Sequence, residues 1–155
     1  PFITTVALFV DAPAGDVRAA LSQAPVQLLQ LHGAETPEFC RQFGRPYVKT
    51  VRMRPGADLL QYARDYHDAK ALLLDSYVEG LHGGSGAAFD WSLIPGGLPL
   101  PVILSGGLTA ENVGDAVRRV RPSAVDVSSG VESAKGVKDA AKIAAFIKGV
   151  RNADG

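Results

Sequence analysis

Cysteine is almost absent from this sequence: one residue in 155, alongside one methionine and one tryptophan. A single thiol excludes an internal disulfide and a thiolate metal site, and it points to a reduced, cytoplasmic setting. There is no excess of charge of either sign, since 16 basic and 16 acidic residues cancel. That balance argues against a nucleic-acid or membrane-surface protein, because both need a basic excess. Long apolar runs are also missing, and none reaches the ~18 residues of a membrane span. The opening stretch, Pro1 to Val10, has no basic n-region, so it is not expected to be a signal peptide. No linker, low-complexity tract or charge block divides the chain, and no Gly-x-Gly-x-x-Gly follows any apolar run.

What is present is an ordinary globular composition, 46% apolar and 21% charged with mean hydropathy +0.09. Six short apolar runs read as strands: Thr5 to Val10, Val26 to Leu31, Pro46 to Met53, Ala71 to Leu74, Pro101 to Leu104 and Ala124 to Val127. Helical stretches follow them. Thr36-Pro37 supplies an N-cap and a first-turn proline, Asp58 and Thr109 cap further helices, and Asp90 caps a short one over Trp91 to Ile94. The last helix spans Asp139 to Arg151. Strands apolar on both faces, alternating with amphipathic helices, predict an α/β fold with a parallel sheet covered by helices.

The polar residues that stand out sit just past the C-terminal ends of different strands, where a (β/α)8 TIM barrel gathers its active site. The fold class expected is therefore the TIM-barrel family, as one domain of six βα units. Six units in 155 residues is about 26 per unit, so eight would need roughly 205. A six-strand sheet leaves two unpaired edges, and the chain opens inside an apolar strand. The expectation is an incomplete barrel.

Ser105-Gly106-Gly107-Leu108 ends one strand and opens a helix, and Ser128-Ser129-Gly130 follows the next. Free N–H groups, hydroxyls and glycines in two consecutive turns suit a phosphate, although either turn alone is also an ordinary tight turn. Asp75 ends an apolar strand and faces the glycine-rich loop Ser76 to Ala88. It reads as a general acid or as a loop cap, and the loop as a lid or a flexible connection. Gln30 and His32 lie two apart on one strand face and can contact substrate. Asp126 shares a face with Ser128, either beneath the phosphate turn or as a buried satisfied carboxylate. Arg52 either adds positive potential to the mouth or is a solvated surface residue. Cys40 reads as a small buried apolar residue. Lys49 is the one lysine near a strand end, as a lyase or synthase of another phosphosugar barrel would require. His67 and His82 show no partners.

Gln30-Leu31-His32-Gly33, Leu74-Asp75 with Gly83-Gly84-Ser85-Gly86 and Phe89-Asp90-Trp91, Ser105-Gly106-Gly107-Leu108, and Asp126-Val127-Ser128-Ser129-Gly130-Val131-Glu132 together resemble the phosphoribosylanthranilate isomerase family of tryptophan biosynthesis. The resemblance covers essentially the whole chain in order and spacing. It implies an Amadori rearrangement of N-(5-phosphoribosyl)anthranilate to 1-(2-carboxyphenylamino)-1-deoxyribulose 5-phosphate. It further implies that Asp75 is the general acid, that Gly106, Gly107, Ser128 and Ser129 grip the phosphate, and that His32 and Asp126 line the substrate; Gly130 joins the phosphate turn, and Gln30 and Arg52 the substrate contacts, on the reading of the residues above. No cofactor or metal is expected, and the partner is a small phosphosugar bound by a monomer or homodimer. The family's base cysteine lies in a Cys-Gly-Ile-Thr motif on the first strand, and a basic residue follows its second. Neither motif occurs in this sequence. The resemblance runs from the family's third strand to its eighth, which makes a fragment the expectation. The alternative is a non-catalytic phosphate-binding half-barrel.

Overall fold

The computed structural model describes residues 3–76 and 89–153. Six strands form one parallel sheet: β1 (Val6–Phe9), β2 (Leu28–Leu31), β3 (Tyr47–Met53), β4 (Ala71–Ser76), β5 (Val102–Leu104) and β6 (Ala124–Val125). They pair strictly in chain order, β1-β2-β3-β4-β5-β6. A doubly wound sheet reverses its order at a switch point. This sheet does not reverse, so the order is that of a barrel segment. The glycine-rich loop singled out in the sequence lies at residues 77–88, outside the described residues, as does His82.

Helices α1 (Ala14–Gln23), α2 (Pro37–Arg41), α3 (Leu59–Asp65), α4 (Val113–Val120) and α5 (Ala140–Ala153) follow β1, β2, β3, β5 and β6. Their starts follow local chemistry. Thr36 accepts from the Phe39 amide and Asp58 from the Gln61 amide, each satisfying a donor the helix leaves free. Asp90 likewise caps a 3-10 turn at Trp91–Leu93. The helix expected from Thr109 starts later. The Thr109 amide donates to Asn112 Oδ1, Thr109 Oγ1 accepts from the Glu111 amide, and regular helix begins at Val113. Among the described residues, no helix is long and apolar enough to cross a membrane.

Alternation along the strands separates two faces. Leu29, Leu31, Val51, Met53, Leu72, Leu74 and Leu104 bury against the helices. Val48, Ala71 and Leu73 form a smaller cluster with Leu28 and Ile103 on the opposite, inner face. Two expectations need correction. The first strand is not buried on both faces: Val6 and Leu8 are 49% and 54% exposed, because β1 ends the sheet and has only β2 beside it. The sixth strand is two residues long, although the Asp126 amide still donates to the Leu104 carbonyl at 2.9 Å. After it comes a hairpin that the helical reading missed, β7 (Glu132–Ala134) with β8 (Val137–Lys138). The Lys135-Gly136 turn between two short runs was the available signal.

Candidate active site

The register settles which polar residues share the inner face. Gln30 pairs with Val48, Lys49 with Leu72, and Arg52 with Asp75. In a parallel ladder, partners point the same way and neighbours along a strand alternate. Gln30, His32, Thr50, Arg52 and Asp75 therefore face one side, and Lys49 faces the other. Continuing the β2–β3 pairing past Leu31 and Lys49 brings Thr50 beside His32.

His32 and Asp75, 43 positions apart, meet across β3. His32 Nε2 lies 3.1 Å from Asp75 Oδ2, and both side chains are largely buried. Gln30 Nε2 approaches His32 Nδ1 at 3.3 Å. An amide nitrogen only donates, so Nδ1 accepts and the ring proton sits on Nε2, aimed at Asp75. Asp75 is 7% exposed, and a carboxylate so placed needs such a donor. Arg52, half-buried, stands next to Asp75 in the ladder and puts a positive charge at this end of the sheet.

On the β5–β6 side, Ser105 Oγ donates to Asp126 Oδ2 at 2.9 Å. Asp126 has the parity of the inner face, two residues past Ala124, and it is exposed, not a buried satisfied carboxylate. The two glycine turns are adjacent. Gly106 has φ +78°, and a side chain there would run into the Ser76 backbone. Gly130 presses on the Leu108 carbonyl in the same way. Both glycines are demanded by the packing of neighbouring strand ends against each other. Gly107, Ser129 and Gly130 line a groove of about 640 Å³ together with Thr109, Glu111 and Lys142. Ser128 is engaged by Lys138, whose Nζ donates to its carbonyl at 2.9 Å and reaches its hydroxyl at 3.3 Å. Neither Lys138 nor Lys142 was identified from the sequence, which offers no motif for them.

The family model for N-(5'-phosphoribosyl)anthranilate (PRA) isomerase matches residues 1–149. The chain belongs to the phosphoribosylanthranilate isomerase family. It is 62% identical over 150 residues to the N-(5'-phosphoribosyl)anthranilate isomerase of Nitrosospira multiformis, covering 97% of this chain and 72% of that one. Its fold is similar to the crystal structure of the isomerase from Thermotoga maritima, with TM-score 0.86, 39% identity, and coverage of 98% of this chain and 75% of that one. A further isomerase structure, in complex with reduced 1-(o-carboxyphenylamino)-1-deoxyribulose 5-phosphate, superposes with TM-score 0.80 at 36% identity, covering 98% of this chain and 73% of that one. The sheet order and family membership agree on a parallel six-strand part of a barrel.

Two cysteine- and lysine-based readings are now decided by geometry. Cys40 is fully buried on the helix face and its thiol is pushed from 9.0 to about 11, chiefly by burial. It is a packing residue, as its sequence context suggested. Lys49, the candidate lysine of a lyase or synthase, points away from the inner face. Its Nζ lies 2.7 Å from Glu35 Oε2 and 2.6 Å from the Gly33 carbonyl. Glu35 was not singled out in the sequence. A glutamate in a post-strand turn looks like any solvated charge until the fold buries it to 6% exposure. His67 is exposed, with Nδ1 3.2 Å from the Arg64 carbonyl, away from the site.

Proposed function

We propose that Asp75 is the general acid of an N-(5'-phosphoribosyl)anthranilate isomerase, and that His32 and Gln30 hold it in place. The family acts in tryptophan biosynthesis, and the chain's membership brings that reaction with it. The observation that carries the assignment is the 3.1 Å contact between His32 Nε2 and Asp75 Oδ2 at the C-terminal edge of the sheet. Oδ2 accepts from the imidazole, which leaves Oδ1 to deliver a proton to the furanose ring oxygen. The C1–O bond then breaks and the anthranilate nitrogen supplies the electron pair, giving an iminium. The C2 proton passes to a general base, which in the family is the cysteine of the first-strand Cys-Gly-Ile-Thr motif, giving an enolamine, and its tautomerisation with proton uptake at C1 yields the ketone. No net oxidation occurs and no atom is lost.

The substrate phosphate is assigned to the two turns, Gly106-Gly107 and Ser128-Ser129-Gly130. Support comes from their adjacency at the end of the sheet and from the hydroxyls and cationic side chains around the groove beside them. Asp126 and Arg52 are assigned to the sugar and to the mouth of the site. The six strands correspond, by motif order, to the third to eighth strands of the family barrel. Among the described residues, Cys40 does not meet the geometric requirement for a base at C2, because it faces the helix layer.

The test is turnover of freshly generated N-(5'-phosphoribosyl)anthranilate, followed by loss of anthranilate fluorescence. It is run on this chain, and on this chain fused behind the first two βα units of a longer relative. Asp75→Asn in whichever form turns over should lower kcat by about 10²–10⁴-fold. Undiminished turnover in that variant overturns the role of Asp75. Phosphate-analogue binding without turnover in either form would favour the non-catalytic phosphate-binding module.

A further inference from the structure

We propose that Glu35 and Lys49, on the helix face of the sheet, are positioning residues that hold His32 against Asp75 on the inner face. The proposal rests on reading Asp75 and His32 as parts of the reactive site. The geometry itself does not depend on that reading.

His32 and Gly33 leave β2 at its C-terminal end, and the path of this short segment decides where the imidazole points. Lys49 Nζ donates to the carbonyl of Leu31, immediately before His32, at 3.3 Å, and to the carbonyl of Gly33, immediately after it, at 2.6 Å. The ammonium thus grips the backbone on both sides of His32. Its third donor goes to Glu35 Oε2 at 2.7 Å. An ammonium has three donors, and all three are used.

Glu35 closes the same turn from the other direction. The Gly33 amide donates to Oε1 at 3.1 Å and to Oε2 at 2.9 Å. The Asp11 amide, at the end of β1, donates to Oε1 at 2.9 Å. Glu35 is held in turn by its own carbonyl, which accepts from Tyr66 Oη at 2.8 Å. The Asp11 carboxylate completes the junction by accepting from the Ala34 amide at 2.6 Å. The C-terminal ends of β1 and β2 and the interior of β3 therefore meet at one buried pair.

Stability alone is a poor reason for such a pair. Both side chains are 2% exposed, and taking two charges out of water costs about as much as their attraction returns, so an apolar pair of similar volume is often as stable. What an apolar pair cannot do is bind the Leu31 and Gly33 carbonyls and the Gly33 amide at once. Those three groups flank the residue whose ring reaches Asp75. A shift of about 1 Å in a group placed for catalysis can cost about 10²-fold in rate.

The test combines histidine ring-nitrogen NMR with turnover. In the unmodified chain, His32 should show a proton-bearing Nε2 and a bare, accepting Nδ1. Lys49→Met, and the uncharged double variant Glu35→Gln with Lys49→Met, should lose that pattern in favour of mixed tautomers. kcat should fall about 10²-fold with KM little changed. Phe146→Leu, a core change in α5 that touches none of these groups, should lower the melting temperature and keep both the ring pattern and kcat. The proposal is overturned if either folded charge variant keeps the His32 pattern, or if Phe146→Leu loses it equally. Should neither charge variant fold, exchange in the unmodified chain decides. The His32 ring proton must then be protected together with the Gly33 amide, and a ring proton that exchanges freely beside a protected Gly33 overturns the idea. Absence of turnover in the unmodified protein would count against the activity assignment and leaves the ring-nitrogen comparison intact.

Discussion

Gly106→Ala should be among the most damaging single-atom additions to this protein, and its cost can be separated into two parts. The residue has φ +78°, a conformation that costs a residue with a Cβ about 1–2 kcal/mol. The new Cβ would also stand 2.2 Å from the Ser76 amide nitrogen, 2.7 Å from Ser76 Oγ and 2.8 Å from Ser76 Cβ, where 3.0 Å is the practical floor. Of those atoms only Oγ could swing aside with a rotamer change, because Cβ is fixed by the backbone. The nitrogen cannot, because it belongs to the last residue of β4. The loop or the strand end must open by roughly 0.8 Å, an overpacking strain of about 1–3 kcal/mol. Gly136 provides the matched control. Its φ is also +78°, yet nothing lies within 4 Å of where its Cβ would be. Gly136→Ala therefore carries the backbone term alone. At about 2–4 °C per kcal/mol for a chain of this size, Gly106→Ala should lower the melting temperature by about 4–20 °C and Gly136→Ala by about 2–8 °C. Because Ser76 follows Asp75 directly, Gly106→Ala should also lower turnover at least about tenfold, whereas Gly136→Ala should not. Scanning calorimetry and the anthranilate fluorescence assay read both. Equal melting shifts for the two variants would refute the steric part of the reasoning, and unequal shifts with equal turnover would refute the link to Asp75.

Cys40 should react slowly with alkylating reagents at pH 8 in the native protein and at once after denaturation, because burial holds its thiol near 11 against the ordinary 9.0. The same shift makes a sign prediction. The native state keeps the proton that the unfolded chain gives up, so this stability contribution is whole below pH 9.0 and declines toward about 11, by at most about 1.4 kcal/mol per pH unit. Cys40→Ala should remove that component of the decline in chemical-denaturation curves taken across this range. Thr50→Val should be neutral or stabilising by about 1 kcal/mol, because Thr50 Oγ1 is buried with no hydrogen-bond partner among the described residues. A loss of more than about 1 kcal/mol in urea titrations would show that the hydroxyl has a partner after all.

Much of the fold is legible in local pattern. Short apolar runs such as Ala71 to Leu74, set between capped helical turns, can be satisfied by little other than a covered parallel sheet. Thr36, Asp58 and Asp90 mark element starts through hydrogen bonds that span three residues or fewer. The strand-end positions of His32 and Asp75 were equally plain. The hairpin after Val131 was not, since its strands are too short for a period to register.

The sequence by itself determined the six strands of the main sheet and the helices between them, that those strands run parallel, and that the polar residues gather at their C-terminal ends. Only the tertiary structure decided which of those residues meet. The contact of His32 with Asp75 depends on the register of β2, β3 and β4, and register is a property of the packed sheet, in which a one-residue slip would send every side chain to the other face. The same parity turned Lys49 away from the site and against Glu35. The exposure of β1 was likewise invisible in its apolar residues, because burial depends on what lies beside a strand and not on its composition.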